Sequence, residues 1–181
     1  MNWFFPIILL LIAAGGFTFY FYRPKKQKRT ESIYTHALNA MVRGDTRTAL
    51  KHLRDVVKQD TNHIDAYLQM GDILREEGNA QAAVKIHQSL TVRPNLNNDI
   101  SRDIHQSLAL DFKQIGHLNK AKLEAELVLK LDRKNLWANE FLLDIFENQR
   151  NWDQATQITK SIQKLKQSQD PNQIARFLVY Q

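Results

Sequence analysis

Cysteine is absent from this chain of 181 residues. Its absence excludes disulfide bonds, thiolate metal sites and cysteine nucleophiles. Glycine and proline are scarce as well, with six and four residues. Gly15 and Gly16 are adjacent but the others are dispersed, so the chain has no glycine-rich loop of the kind that binds phosphate. These absences exclude several classes of enzyme and metalloprotein.

Catalytic motifs are absent too. No histidine pair has the spacing of zinc-dependent hydrolases, with an intervening glutamate, and no G-x-S-x-G motif occurs. We therefore predict a protein that is not an enzyme and that has no cofactor and no metal site. We interpret the six histidines as solvated or packing residues; they are His36, His52, His63, His87, His105 and His117.

Five of the six net positive charges come from one short segment, RPKKQKR at 23–29. Outside it, 20 basic residues are balanced by 19 acidic ones. The charge is therefore a local patch and does not indicate a nucleic-acid-binding body. The residues of the patch are Arg23, Lys25, Lys26, Lys28 and Arg29.

Residues 3–22 form a long apolar run without a charged side chain. As a helix, a run of this length spans about 30 Å, which is the thickness of a bilayer core. We therefore predict a transmembrane helix over residues 1–22. A cleaved signal peptide is the alternative, but Met1 and Asn2 supply no positively charged start.

The basic segment 23–29 follows this helix, and no basic residue precedes it. Because cytoplasmic flanks carry the excess of Lys and Arg, we expect the N-terminus outside the cytoplasm and the remaining chain inside it. The same segment could also attract anionic lipid headgroups, by about 1 kcal/mol per basic residue. Both interpretations stay open. Pro24 is expected to end the membrane helix before the next helix begins.

A Gly-x4-Ala pattern recurs along the rest of the chain, in steps of 34, 38 and 34 residues. A period of 34, with a small residue at a tight turn and another early in the next helix, is typical of tetratricopeptide repeats. We predict an all-α solenoid of four such repeats over residues 30–168, at about 30–63, 64–97, 102–135 and 136–168. The pattern consists of Gly44 and Ala49, Gly78 and Ala83, Gly116 and Ala121, and Arg150 and Ala155, where Arg150 replaces the glycine.

Apolar residues at helical spacing predict the core of each repeat. Gly71, inside a predicted helix, costs about 1 kcal/mol relative to Ala and therefore indicates a close approach of two helices. The 38-residue step predicts a longer polar connection, Asn95 to Asp99, after a helix that ends at Arg93-Pro94. For repeat three, the predicted core is Leu108, Ala109, Phe112, Ala121, Leu123, Leu127, Val128 and Leu131.

The last residues, 170–181, resemble the start of a fifth repeat. Its apolar side chains would need a further helix to cover them, whereas a terminal repeat normally has a polar outer face. We therefore expect the chain to be an N-terminal piece of a longer array.

Counting from the turns predicts which residues of the first helices line the inner, concave surface. Eight of them are acidic and two are basic, which favours a basic or amphipathic partner segment with Trp137 as an anchor. A solvated face whose acidic excess is accidental stays the alternative. The predicted partner-binding residues are Asp65, Leu68, Asp72, Arg75, Glu76, Asp103, Gln106, Lys113, Trp137, Glu140, Asp144 and Glu147, and Glu31, Tyr34, Leu38, Met41 and Leu110 fall on the same face.

One motif indicates which family of tetratricopeptide proteins the chain resembles. The IHQSL of Ile86 to Leu90, followed by Arg93-Pro94 and Leu96, together with the N-terminal helix and basic linker, resembles the lipopolysaccharide assembly protein B (LapB) family. The resemblance implies a non-enzymatic regulator in the bacterial inner membrane, with its N-terminus in the periplasm and its repeats in the cytoplasm. It also implies that the partners are the membrane protease FtsH and the deacetylase LpxC, which commits a precursor to lipid A.

Two departures limit this resemblance. Family members have more repeats and a C-terminal rubredoxin-like domain with paired Cys-x-x-Cys ligands, whereas this chain has no cysteine. A fragment, a truncated product and a short paralogue all fit these departures. A second function also stays open: a structural assembly factor for another inner-membrane complex, for secretion, pili or respiration, that binds proteins through the same groove.

Overall fold

The computed structural model describes the backbone of residues 4–166, without the side chains of residues 4–7, 9 and 16–28. The predicted fifth repeat at 170–181 lies outside the described residues. Within them the fold is all-α, as predicted, with no strand. The helices are α1 (Phe4–Val42), α2 (Thr46–Gln59), α3 (Ile64–Glu76), α4 (Ala80–Thr91), α5 (Asn98–Gln114), α6 (Leu118–Leu131), α7 (Leu136–Asn148) and α8 (Trp152–Lys166).

The same tight turn joins α1 to α2, α3 to α4, α5 to α6 and α7 to α8. In the first three turns a glycine has a positive φ, of 73° at Gly44, 87° at Gly78 and 79° at Gly116. Arg150 occupies the fourth turn with φ 55°. The next N–H closes each turn on a carbonyl five residues earlier, as in the 2.9 Å bond from Asn151 to Phe146. This bond satisfies a carbonyl at the helix end.

Asparagine and aspartate side chains begin several of the helices. Each accepts a hydrogen bond from the N–H three residues further on, which satisfies a donor that the first turn leaves unpaired. His117, before α6, makes no such side-chain bond. The capping residues are Asp45 for α2, Asn79 for α4, Asn97 for α5 and Asn135 for α7.

The chain divides into two compact units, with the boundary between Met70 and Gly71. In the first unit α1 packs against α2. Its core consists of small and branched side chains that let the two helices approach closely. These include Ala37, Ala40, Ala49, Leu53 and Val56, all with no exposed surface.

In the second unit, α4 packs on α5, α5 on α6, α6 on α7, and α7 on α8. Leu123, predicted to be part of the core, is instead 56% exposed. The reason is helical geometry: Leu123 lies two residues from both Ala121 and Ala125, which are fully buried, and a helix turns by about 100° per residue. The main core side chains are Leu90, Ile104, Leu108, Val128 and Ile145.

The expectation that Pro24 ends the N-terminal helix is wrong, because α1 is continuous from Phe4 to Val42. The basic segment 23–29 therefore lies within this helix. A proline inside a helix removes one hydrogen bond and favours a kink, but the bonds of the neighbouring turns can carry the helix past it.

Among the helices of the described residues, none is both long and apolar enough to cross a membrane. Most side chains of the predicted transmembrane segment 1–22 lie outside the described residues. Those that are described at Ile8, Leu10, Leu11 and Ile12 are exposed.

The connection after α4, residues 92–97, is two residues longer than those before α3 and α7, as predicted, but α5 begins earlier than expected. The connection ends at Asn97, whose side chain accepts a 2.7 Å hydrogen bond from Ile100 N–H and so begins α5 early. As a result α5 has 17 residues, whereas α3 and α7 have 13. The length of α5 therefore adds one helical turn, while the two extra residues of the connection are offset by α4, which is two residues shorter than α2 and α6.

Candidate functional site

The candidate site is the surface of the second unit formed by α5, α7 and residues 71–76 of α3, which we call the first-helix face. It carries ten of the predicted partner-binding residues. Glu76, Asp103 and Glu140 are exposed there. The partly buried ones are Asp72, Arg75, Gln106, Lys113, Trp137, Asp144 and Glu147.

The two other predicted residues lie in the first unit and differ in their exposure. Asp65 is exposed. Leu68 is only 8% exposed, which departs from the expectation that it lines a surface. On a helix Leu68 is two residues from fully buried Ala66, but the core extends far enough around α3 to cover it as well.

A buried charge cluster lies beneath the first-helix face. Nη1 of Arg75 is 2.6 Å from Oδ1 of Asp72 and 3.0 Å from Oδ1 of Asp111. Asp111 has no exposed surface. Burial acts to lower the pKa of Arg75, but the Asp72 carboxylate, aided by Asp111, outweighs it and the pKa is raised. Arg75 is therefore held in its charged form between two carboxylates.

His87 completes the cluster from α4. Its Nδ1 donates a 2.6 Å hydrogen bond to Oδ2 of Asp111, and both side chains are fully buried. The imidazole lies directly against Gly71 of α3, where an added Cβ would come within 2.6 Å of Cε1 and closer to Nε2. The close approach predicted at Gly71 is therefore the contact with this ring.

Two further side chains tie α5 to α3. Ser107 donates a 3.2 Å hydrogen bond to Oδ1 of Asp72. Gln114 donates a 2.9 Å hydrogen bond through Nε2 to the carbonyl oxygen of Arg75. Because buried charges are stable only when they are paired and hydrogen-bonded, this set of contacts fixes residues 71–76 of α3 against α4 and α5.

Other ion pairs offset much of the acidic excess on this face. Lys113 lies 2.6 Å from Asp144, and Lys166 of α8 lies 2.6 Å from Glu140. Arg102 contacts Asp99 and Asp103, at 2.8 and 3.3 Å. The count of eight acidic against two basic residues therefore overstated the negative charge, because Arg102 and Lys166 were missing from it.

Trp137 forms an aromatic contact rather than standing free. Its ring stacks on Phe141 with 4.9 Å between the centroids. Nζ of Lys113 lies 5.4 Å from the centroid of the Phe141 ring. Trp137 is half-buried, so the part that a partner could contact is one side of an already stacked ring.

Tyr34, on α1 in the first unit, has its own set of neighbours. Its ring lies 4.5 Å from that of His63. Burial raises the pKa of the Tyr34 hydroxyl, and the negative charges of Asp65 and Glu31 raise it further. His63 in turn accepts a 3.2 Å hydrogen bond from Ala66 N–H, which begins α3.

Sequence reasoning missed Ser107 and Asp111, and it did not distinguish His87 from the other histidines. One signal was available: all three are polar residues at positions where the helical period calls for apolar ones. In the described part of the chain, no group of three or more His, Asp or Glu residues is arranged to hold a metal ion. Of the basic patch, the described side chain is that of Arg29, which is exposed.

No protein-family model matches the chain. Curated relatives do: lipopolysaccharide assembly protein B of Escherichia coli K12 is 25% identical over 179 residues, covering 94% of this chain and 46% of the relative. The protein of that name from Haemophilus influenzae is 24% identical over 187 residues, with coverages of 94% and 47%. The resemblance to this family is therefore confirmed. The chain spans about half the length of these relatives.

Solved structures with the same fold are tetratricopeptide proteins. A tetratricopeptide repeat protein from Parabacteroides merdae has a TM-score of 0.71 at 15% identity, covering 84% of this chain and 59% of that one. MamA from Desulfovibrio magneticus has a TM-score of 0.68 at 18% identity, with coverages of 78% and 77%. YrrB, described as a TPR protein with an unusual peptide-binding site, has a TM-score of 0.62 at 13% identity, with coverages of 81% and 73%. The predicted tetratricopeptide fold is confirmed.

Proposed function

We propose that this protein is a non-enzymatic adaptor of the bacterial inner membrane that regulates lipopolysaccharide biosynthesis. In this proposal it brings a client protein to a membrane protease. The observation that carries the proposal is the similarity to lipopolysaccharide assembly protein B, which extends over 94% of the chain. A repeat fold whose known members include peptide-binding proteins supports the adaptor role.

The membrane anchor is the apolar segment 1–22. The basic residues at 23–29 favour a single-pass topology with the N-terminus in the periplasm and the repeats in the cytoplasm. An anchored adaptor raises the local concentration of its client near a membrane enzyme, which increases the rate of encounter without any new contact between them.

The first-helix face binds the client in this proposal. Trp137 supplies a stacked aromatic surface, and Glu76 supplies negative charge that no cation in the described residues matches. Such a surface suits an amphipathic segment with moderate positive charge. FtsH and LpxC are the partners that the resemblance indicates.

Cross-linking followed by pull-down of the full chain from native membranes tests the proposal. We expect FtsH, LpxC or both to be recovered. A charge reversal, Glu76→Lys, should reduce recovery of the client, whereas Asp153→Lys on α8 serves as a control outside the proposed face. Recovery of a secretion, pilus or respiratory complex alone would sink the proposal and favour the assembly-factor alternative.

A further inference from the structure

We infer that Arg75 and Gln114 form a binding site for a peptide amide group on the first-helix face, and that the buried Asp111 and His87 position it. This inference rests on the proposed function only in taking that face to bind a protein segment. It adds which atoms contact the segment and which chemical group they recognise.

The guanidinium of Arg75 has N–H donors that its protein contacts do not use. A guanidinium has five N–H groups, and the protein contacts of Arg75 in the described residues all use Nη1. Nε and Nη2 therefore have no protein partner there. The side chain is 13% exposed, so these donors are accessible from the surface but have little freedom to move.

Gln114 supplies the complementary acceptor. Its Nε2 donates to the carbonyl oxygen of Arg75, which holds the carboxamide beside that residue. Its Oε1 has no partner in the described residues, and the residue is exposed. Donors on Arg75 and an acceptor on Gln114 match the carbonyl oxygen and N–H of peptide groups in an extended segment.

The surrounding charges select a neutral ligand. Arg75 is already paired with the carboxylates of Asp72 and Asp111. A ligand carboxylate would be attracted by one guanidinium but repelled by two carboxylates, whereas an amide carbonyl accepts the same hydrogen bonds without that repulsion. The site is therefore expected to prefer main-chain amides to free carboxylates.

His87 acts through Asp111 rather than by touching the ligand. Both side chains have no exposed surface, so neither can contact a peptide. The bond from His87 Nδ1 fixes one carboxylate oxygen of Asp111, and the other oxygen fixes Arg75. Loss of this bond would leave Arg75 charged but free to turn, so His87 is a positioning residue.

The test uses the purified full chain in lipid nanodiscs and an array of capped peptides of random sequence. Peptides that bind are made again with single N-methyl groups, which remove one amide donor at a time. We expect N-methylation at one position to weaken binding at least tenfold, and replacement of the capped end by a free carboxylate to give no gain. Arg75→Lys, which keeps the charge but not the fork of donors, should also weaken binding at least tenfold.

Two further variants separate binding from folding. Gln114→Ala changes an exposed side chain and should weaken binding several-fold at an unchanged unfolding temperature, whereas Gln154→Ala, an exposed residue of α8 outside the first-helix face, should leave binding unchanged. His87→Ala should abolish the preference for the unmethylated peptide, and His87→Asn, which keeps a donor near Nδ1, should restore part of it. A merely structural role would not move this preference.

Three results would each overturn the inference: no peptide bound by the wild-type chain, binding insensitive to N-methylation, or wild-type affinity in both Arg75→Lys and Gln114→Ala. The array needs no native membrane, so its outcome is independent of the pull-down. A positive array with no FtsH or LpxC recovered would refute only the proposed function. Recovery of FtsH or LpxC together with a negative peptide array would refute only this inference.

Discussion

The ring of His87 limits position 71 to a residue without a side chain. The imidazole fills the space that a side chain at position 71 would need. Glycine is unfavourable inside a helix, but here it leaves room for the His87 ring. The hydrogen bond of that ring to Asp111 offsets the cost of the glycine.

We predict that Gly71→Ala lowers the free energy of unfolding by about 1–3 kcal/mol, because the added methyl group overlaps the ring and forces a shift. Denaturant titration measures this change. In the background of His87→Ala the same substitution should cost less, since the space is then empty. Equal costs in both backgrounds would show that the ring does not restrict position 71.

Arg150 has a backbone conformation that is unfavourable for a residue with a side chain. A left-handed conformation costs a residue with a side chain about 1–2 kcal/mol, and Arg150 adopts it at φ 55°.

Arg150→Gly should therefore raise the free energy of unfolding by about 0.5–1 kcal/mol, the part of that cost left after the larger unfolded-state entropy of glycine. Thermal and denaturant unfolding would measure it. The reverse change at an equivalent turn, Gly116→Ala, should be destabilising by about 1 kcal/mol. A loss of stability in Arg150→Gly would mean that the arginine side chain contributes more than its backbone costs.

At the scale of helices, α2 depends on one exposed cap. The Asp45 side chain accepts a 3.0 Å hydrogen bond from Thr48 N–H. The bonds from Thr48 hold the pKa of Asp45 below its ordinary value of 3.8. A carboxylate whose folded pKa is lowered contributes stability above the unfolded value and loses it as pH falls through the folded pKa.

We therefore expect the start of α2 to be stable at neutral pH and to fray only as pH falls below about 3.8, the ordinary carboxyl value. The chemical shift of the Thr48 amide, followed by NMR against pH, measures this transition. Asp45→Asn keeps a capping oxygen and should remove the transition. A midpoint above the ordinary carboxyl value would contradict the assignment.

Two neighbouring helix contacts of the second unit differ in burial. In the ion pair of α5 with α3, Asp111 is fully buried beside Arg75. In the ion pair of α5 with α7, the side chains of Lys113 and Asp144 are 39% and 47% exposed. Breaking a buried pair leaves an unmatched charge, but an exposed pair is replaced by water.

Asp111→Ala should therefore cost about 3–5 kcal/mol, and Lys113→Ala about 1 kcal/mol or less. Denaturant unfolding of both variants provides the comparison. Hydrogen exchange should also show faster opening at α3 and α4 in the first variant. Similar costs for the two would mean that burial does not decide the strength of these contacts.

The sequence predicted the helices and turns because both depend on local signals: apolar spacing, glycine, and capping residues such as Asn79 and Asn135. It did not predict the charge cluster, since Arg75 and Asp111 are 36 residues apart and meet only through packing. The prediction that Leu123 lies in the core was wrong for a related reason, because the apolar character of a residue does not determine which side of α6 faces the core. The continuity of α1 through Pro24 could not be inferred either, because proline weakens a helix without always ending it.

For the whole molecule, the proposed function separates anchoring from folding. Deleting residues 1–22 removes none of the buried side chains that the structure describes. We expect the truncated chain to lose only the helical signal of residues 4–22 and to keep its unfolding temperature, but to lose its effect on lipopolysaccharide levels in cells. Circular dichroism and a complementation assay measure the two properties. Full complementation by the truncated chain would show that tethering is not the mechanism.

The turn at Arg150 also bears on how such arrays change during evolution. A strain of this size can be tolerated, so the glycine that marks a repeat can be lost while the turn and its hydrogen bonds persist. A search that scores only that glycine would then count one repeat too few. In related chains, repeats are better counted from the backbone hydrogen bond that closes each turn, as Asn151 N–H does with Phe146.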